Sequence, residues 1–218
     1  MEKKFLDITA IIPAAGRPTN KIIFNNSLPD AMIPINGKPV IGYIIEDLME
    51  RKINDIVVVL NRQDNNTEKY VSKKYGDRCN LKVIYDRSTG RGLGYAMYLA
   101  SKQVTNKHIL VYLGDTIYKG PLSFIKSFLV TTKKYDDSSK WCFVEKSGRK
   151  LSFIDKPQFY TGKGKVICGL YYFHQVELFK KIVLSEEKKS DKLSMHQILA
   201  PYAKKDPFVL GTHICHFK

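Results

Sequence analysis

The chain has 218 residues, with 36 Lys plus Arg against 21 Asp plus Glu, giving a formal charge of +15 and a pI of about 9.5. With 44% hydrophobic and 26% charged residues, the composition excludes a disordered or fibrous chain, and the length suits one α/β domain with a substantial core. Cys79, Cys142, Cys168 and Cys215 form no C-x-x-C pair, which argues against a zinc ribbon or dithiol motif and favours a reducing compartment.

The first apolar run, Ile8 to Ala15, is too short to span a bilayer and contains Pro13. It lacks a small-residue cleavage pattern, so we expect a soluble, cytoplasmic protein with no membrane partner. Ile8 to Ile12 reads as a buried first strand. Val40 to Arg51 sets Val40, Ile41, Ile44, Ile45, Leu48 and Met49 on one helical face behind Pro39. Asp55 to Leu60 predicts a second strand, Thr67 to Tyr75 a helix, Leu81 to Tyr85 a strand, Gly92 to Gln103 a helix, and His108 to Leu113 a strand. Trp141 to Lys146 and Leu151 to Lys156 flank Ser147-Gly148-Arg149 and predict a hairpin. Val166 to Phe173 predicts a strand, Gln175 to Leu184 and Leu193 to Lys204 helices, and Phe208 to Gly211 a closing strand. Alternating strands and helices with short connections describe a mostly parallel sheet covered by helices. No repeat or linker divides the chain, so residues 1–218 read as one domain, with a nucleotide-binding front half and a more mixed rear half.

The positive charge calls for an anionic partner or a solvated surface. Its densest clusters, Lys133-Lys134, Lys188-Lys189 and Lys204-Lys205, fall at predicted helix ends or turns. No basic helix with interleaved aromatics, zinc finger or RRM signature is present, so nucleic acid is not expected as the main partner. Small polyanions such as nucleotides and sugar phosphates fit the charge.

After the first strand comes Pro13-Ala14-Ala15-Gly16-Arg17-Pro18-Thr19-Asn20-Lys21. Small residues there let backbone N–H groups approach an anion at the carboxyl end of a parallel strand, and Arg17 and Lys21 add charge. A tight bend is the competing explanation. The stretch is neither a P-loop nor a G-x-G-x-x-G fingerprint.

The continuation, Leu28-Pro29-Asp30-Ala31-Met32-Ile33-Pro34-Ile35-Asn36-Gly37-Lys38-Pro39-Val40-Ile41, closely resembles the sugar-1-phosphate nucleotidyltransferase (NTP transferase) family in order and spacing. Gly92-Leu93-Gly94-Tyr95-Ala96 resembles the family's glycine-rich element bordering the base. Leu113-Gly114-Asp115-Thr116-Ile117 resembles its metal-binding Gly-Asp motif. Ser152-Phe153-Ile154-Asp155-Lys156-Pro157 resembles its Glu-Lys-Pro segment, and Cys168-Gly169-Leu170-Tyr171-Tyr172-Phe173 its Ala-Gly-(Ile/Leu)-Tyr-x-Phe strand.

The resemblance implies a three-layer Rossmann-like α/β fold with a mixed, mostly parallel central sheet. It also implies transfer of an NMP from an NTP to a sugar 1-phosphate or similar phosphorylated acceptor, releasing pyrophosphate. Ala14, Ala15, Gly16, Gly92 and Gly94 would then border the nucleotide, Asp115 would hold Mg²⁺, Asp155 and Gly169 would face the acceptor, and Arg17, Lys21 and Lys156 would supply cations. Physical readings stand beside these roles. Asp115 follows a strand and a glycine, which puts its carboxylate where a Mg²⁺ bridging phosphate oxygens would sit; a turn cap is the alternative. Gly92 and Gly94 allow flat packing of a base or merely start a helix, Lys156 grounds a phosphate or is solvated, and Gly169 admits a sugar or marks a bulge.

Three departures from the family pattern stand out. Arg17-Pro18-Thr19-Asn20-Lys21 replaces Gly-x-Gly-(Thr/Ser)-Arg, so Arg17 or Lys21 takes the arginine's part. Asp30 stands where the family has a lysine, a carboxylate that would repel phosphate unless Lys21, Lys38 or Lys156 compensates, Asp30 holds a second metal, or the domain binds without turning over. No second aspartate in an Asp-(Ile/Val/Leu)-Gly stretch follows Gly211, as would be expected of the front part of a longer chain. His213, Cys215 and His216 alternate faces on an extended tail, a poor metal set. Two readings compete with sugar nucleotidyl transfer: cytidylyl transfer to a non-sugar phosphate such as phosphocholine, and nucleotide-sugar binding without turnover.

Overall fold

The computed structural model describes residues 5–16, 28–88 and 90–212. Its first half holds β1 (Ile8–Ala14), the short pair β2 (Pro34–Ile35) and β3 (Lys38–Pro39), α1 (Val40–Glu50), β4 (Asp55–Asn61), α2 (Asn65–Tyr75), β5 (Asn80–Asp86), α3 (Leu93–Ser101) and β6 (His108–Tyr112). β7 (Phe128–Thr132), β8 (Cys142–Ser147), β9 (Lys150–Asp155), β10 (Lys165–Phe173), α4 (Val176–Glu187), α5 (Met195–Ala203) and β11 (Val209–Thr212) follow. Arg17 and Lys21, and with them His213, Cys215 and His216, lie outside the described residues.

The main sheet runs β11-β7-β10-β6-β1-β4-β5. β1 pairs in parallel with β4 and β6, β4 with β5, and β7 with β11; β10 alone on this path is antiparallel to its neighbours β6 and β7. The hairpin β8–β9 hangs from β10 through Lys165↔Val144 and Val166↔Phe143. The expected mixed, mostly parallel sheet is what the chain builds.

Side-chain alternation along the strands divides the core in two. Ile56, Val58 and Leu60 of β4 join Ile8, Ala10 and Ile12 of β1 under α1 and α2. Val57 and Val59, with Ile11 and Val111, face the opposite layer, where Met97, Phe179, Ile198 and Tyr202 close the second core from α3, α4 and α5. Two helical layers on one sheet make the three-layer form.

The hairpin turn follows from Gly148, whose φ of +59° supplies the left-handed first position that a two-residue loop requires. β7 is an element the sequence reading did not name. Its five residues follow a stretch without regular structure, and its ladder partners β10 and β11 lie far along the chain. The last helix starts at Met195 rather than Leu193, because Ser194 caps it: its backbone N–H donates to Gln197 Oε1 at 2.8 Å.

At the amino ends of the parallel strands, Asp55 gathers three of them. It accepts from Thr9 Oγ1 at 2.5 Å and Asn80 Nδ2 at 2.6 Å, while Asn106 Nδ2 reaches both Asp55 Oδ2 and Thr9 Oγ1 at 3.2 Å. The carboxylate is buried, so its removal leaves several donors without an acceptor. Asp55→Ala is expected to lower unfolding free energy by about 2–3 kcal/mol in urea titration; a change within error would show that the cluster does not pin the strands.

Candidate functional site

Parallel strands of an open sheet deliver ligand-binding loops at their carboxyl ends. β1 and β6 are neighbours in the sheet, and their following loops meet directly. After β6, the Leu113 N–H donates to Gly169 O at 2.9 Å and the Gly114 N–H to Pro13 O at 3.1 Å. A Cβ at position 114 would stand 2.9 Å from Ala14 Cβ and 3.0 Å from Pro13 O, so only glycine lets the loop seat this closely on the end of β1. Asp115 is thereby fixed beside the bend at Ala14, Ala15 and Gly16. Among the described residues, a Cβ at Gly16 would meet nothing within 4 Å. Its exposed backbone is available to an anion.

Asp115 is reachable by solvent, yet loss of surrounding water raises its carboxyl above the ordinary 3.8. A carboxylate that is both accessible and closely walled lies in a crevice. Hydrogen bonds from its own backbone N–H and from Thr116 Oγ1, at 3.2 Å, oppose the rise, and the charge of Asp30 adds to it. Asp30 opens a single 3-10 turn, Asp30–Met32, against the amino end of α1. The aspartate in the lysine position thus lies within electrostatic reach of Asp115. Lys38 does not offset it, because its Nζ pairs with Glu46 Oε2 at 2.5 Å and lies 3.7 Å from the centre of the Tyr43 ring.

A second group collects at the end of β9. Asp155 Oδ2 lies 3.3 Å from His196 Nδ1 on α5, and Ser194 Oγ lies 2.7 Å from the same nitrogen. Lys156 is exposed and carries a left-handed backbone, φ +48°, with its N–H donating to Trp141 O at 2.9 Å. Such a conformation is uncommon for a residue with a Cβ, and here it directly precedes Pro157. Burial pushes the Cys142 thiol up to about 12, with Asp155 adding to the rise and Lys156 opposing it. Tyr171, buried on β10, has its hydroxyl held far above its usual range by burial first and then by the charges of groups including Cys142, Asp115 and Asp155. Asp115 and Asp155 therefore both lie within electrostatic reach of the same tyrosine.

The glycines divide differently from Gly16. Gly92 caps α3 with φ +91°, and a Cβ there would meet Leu193 O at 2.5 Å. At Gly94 it would meet Leu193 Cγ at 2.5 Å and Ser194 O at 2.9 Å. These positions are small because the 192–194 segment crosses them, held by Gly94 N–H to Leu193 O at 2.9 Å and Leu193 N–H to Arg91 O at 2.7 Å. Gly169 sits where the β10–β7 register shifts, with φ +76°, and a Cβ would meet Thr116 Oγ1 at 2.5 Å. Sequence reasoning offered both a bulge and a ligand face here; protein atoms take the Cβ position at all three glycines. His196 and Ser194 were missed, although the Ser-x-x-Gln pattern that caps α5 was legible beforehand.

No helix among the described residues is long and apolar enough to cross a membrane. A family model described as nucleotidyl transferase matches residues 10–210. Among curated proteins, a UTP--glucose-1-phosphate uridylyltransferase of Staphylococcus epidermidis is 24% identical over 224 residues, covering 85% of this chain and 78% of its own. A choline-phosphate cytidylyltransferase of Streptococcus pneumoniae is 29% identical over 167 residues, covering 75% and 69%. Among solved structures, a UDP-glucose pyrophosphorylase complexed with UDP-glucose superposes with a TM-score of 0.73 at 20% identity, over 94% of this chain and 89% of that one.

The raised carboxyl of Asp115 has a stability consequence. The folded chain binds this proton more tightly than the unfolded one, so ionisation costs stability as pH rises through the folded value. Asp115→Asn is expected to unfold at higher urea than the parent at pH 7, with the gap closing below the ordinary carboxyl value of 3.8. A less stable variant at pH 7 would contradict the crevice placement.

Proposed function

The chain belongs to the nucleotidyl transferase family, and from that premise we propose that it transfers an NMP from an NTP to a sugar 1-phosphate or similar phosphorylated acceptor. An acceptor phosphate oxygen attacks the α-phosphorus, the bond from that phosphorus to the bridging oxygen of the β-phosphate breaks, and pyrophosphate leaves. The observation that carries the proposal is the seating of Gly114 on Ala14; on this reading the Asp115 carboxylate and the exposed backbone at Gly16 line one crevice. Formation of nucleotide sugars from soluble substrates suits a cytoplasmic protein.

Each part of the site has a task in this chemistry, which asks for positioning and charge compensation rather than covalent participation. The small residues Ala14, Ala15 and Gly16 admit the phosphates to backbone N–H groups. The segment at Gly92 and Gly94 shapes the nucleotide side through the Leu193 chain that it supports. Lys156 meets the acceptor phosphate as a point charge, and Asp155 accepts from an acceptor hydroxyl. Gly169 acts behind the site by making room for Thr116. Arg17 and Lys21 supply further cations to the phosphates. The net charge of +15 draws both polyanionic substrates toward the protein.

The donor set fits Mg²⁺. Among the described residues no three His, Cys, Asp or Glu side chains cluster, and this ion commonly takes one or two carboxylates with water and phosphate oxygens completing its shell. Asp115, joined by Asp30, would hold it. When bound it would offset charge on the transferring phosphate. On this reading Asp30 exchanges the family lysine's direct contact with phosphate for a contact with the ion.

A second reading, cytidylyl transfer to phosphocholine, is supported by the 29% identity to the pneumococcal cytidylyltransferase. Pyrophosphate release with each NTP, Mg²⁺ and a panel of phosphorylated acceptors tests both. Release is expected with at least one pair. EDTA should abolish it, and Asp115→Asn should lower kcat about a hundredfold or more while the variant stays folded. Nucleotide binding without release across the panel would assign the chain to a binding role instead.

A further inference from the structure

His196 occupies the first turn of α5, on an element distant in sequence from every motif that suggested the function. Its Nδ1 stands 2.7 Å from Ser194 Oγ and 3.3 Å from Asp155 Oδ2. Ser194 has one hydroxyl hydrogen, and Gln197 Oε1 accepts it at 2.9 Å. The same Gln197 oxygen accepts the Ser194 backbone N–H, so the capping box fixes the serine. Ser194 Oγ then turns a lone pair toward the imidazole, and Asp155 as a carboxylate only accepts. Both neighbours of Nδ1 are acceptors, which assigns a ring hydrogen to Nδ1; in the neutral imidazole Nε2 then carries a lone pair.

Two acceptor atoms are left over. Neither His196 Nε2 nor Asp155 Oδ1 meets a protein partner among the described residues, and the two side chains remain 35% and 27% exposed. Nδ1 and Oδ2 hold the two side chains 3.3 Å apart, and Asp155 directly precedes the exposed cation of Lys156. We infer that His196 is a specificity-determining residue: its Nε2 and Asp155 Oδ1 accept hydrogen bonds from two hydroxyl groups of a polyhydroxylated phosphate. The inference rests on the reading above, in which the acceptor lies at Asp155 and Lys156. A quaternary ammonium acceptor has no hydrogen to give Nε2 and is recognised instead by aromatic faces. A site that offers two fixed acceptors discriminates strongly against a partner without donors.

Steady-state kinetics with an NTP and Mg²⁺ against glucose 1-phosphate, myo-inositol 1-phosphate and phosphocholine test this. The parent should favour a hydroxylated phosphate over phosphocholine. His196→Ala should raise the KM for that acceptor about tenfold and leave the KM for NTP unchanged. His196→Asn keeps an N–H toward Ser194 and Asp155 but has no atom at Nε2, so it should show nearly the same rise. Full recovery in the asparagine variant, an unchanged KM in both, or preference for phosphocholine overturns the inference while leaving nucleotidyl transfer standing. If no acceptor releases pyrophosphate, the transfer reading itself fails, and saturation-transfer NMR with the same three phosphates decides the inference. Hydroxylated phosphates that bind the parent and are lost in the asparagine variant support it; no binding, or equal binding, overturns it.

Discussion

The site depends on a steric allowance at position 114. The loop leaving β6 lies against the last residues of β1 because no side chain intervenes, and the Gly114 N–H then finds Pro13 O. Seated there, Asp115 lies at the carboxyl ends of the two central parallel strands, beside the bend that ends in the exposed Gly16. The next residue, Thr116, needs an allowance of its own, which Gly169 provides from β10. Two missing side chains, far apart in sequence, thus fix one carboxylate. A buried sheet with hydrophobic cores on both faces keeps the strands that carry these contacts in register.

Most elements were legible in the sequence because their patterns are local. DIVVVL is apolar on both faces, as a central parallel strand must be, and Val40 to Glu50 repeats its apolar residues at helical spacing. β7 escaped notice because five residues carry little periodic signal and its hydrogen bonds go to distant strands. In the site, Asp115 and the bend at Ala14 to Gly16 were recognisable because chemistry and spacing coincide there. The glycines were harder. A glycine that admits a ligand and one that admits a neighbouring chain leave the same letter, and Gly92, Gly94 and Gly169 accommodate protein atoms. His196 was invisible because its significance comes only from Asp155, which the fold brings to it.

Charge at the site is arranged unlike the family pattern from which it departs. The sequence places an aspartate where a cation is expected, and in the fold that aspartate acts electrostatically on Asp115. Lys38, the nearest cation along the chain, is committed to Glu46 and Tyr43. The charge of Asp30 adds to the cost of ionising Asp115. On the proposed reading, the same pairing that looks unfavourable for phosphate alone becomes favourable for a phosphate that arrives with its counter-ion.

The β8–β9 hairpin joins the sheet through two registered pairs with β10, while its turn is closed by Gly148 at the opposite end. Asp155 is its last residue and Lys156 follows, so the groups proposed for one substrate sit at the end of this hairpin, whereas those proposed for the other follow the central strands. On the proposed reading, such a division of labour lets one half of the reaction's cargo be exchanged by editing the hairpin's end, without disturbing the scaffold that grips the other half.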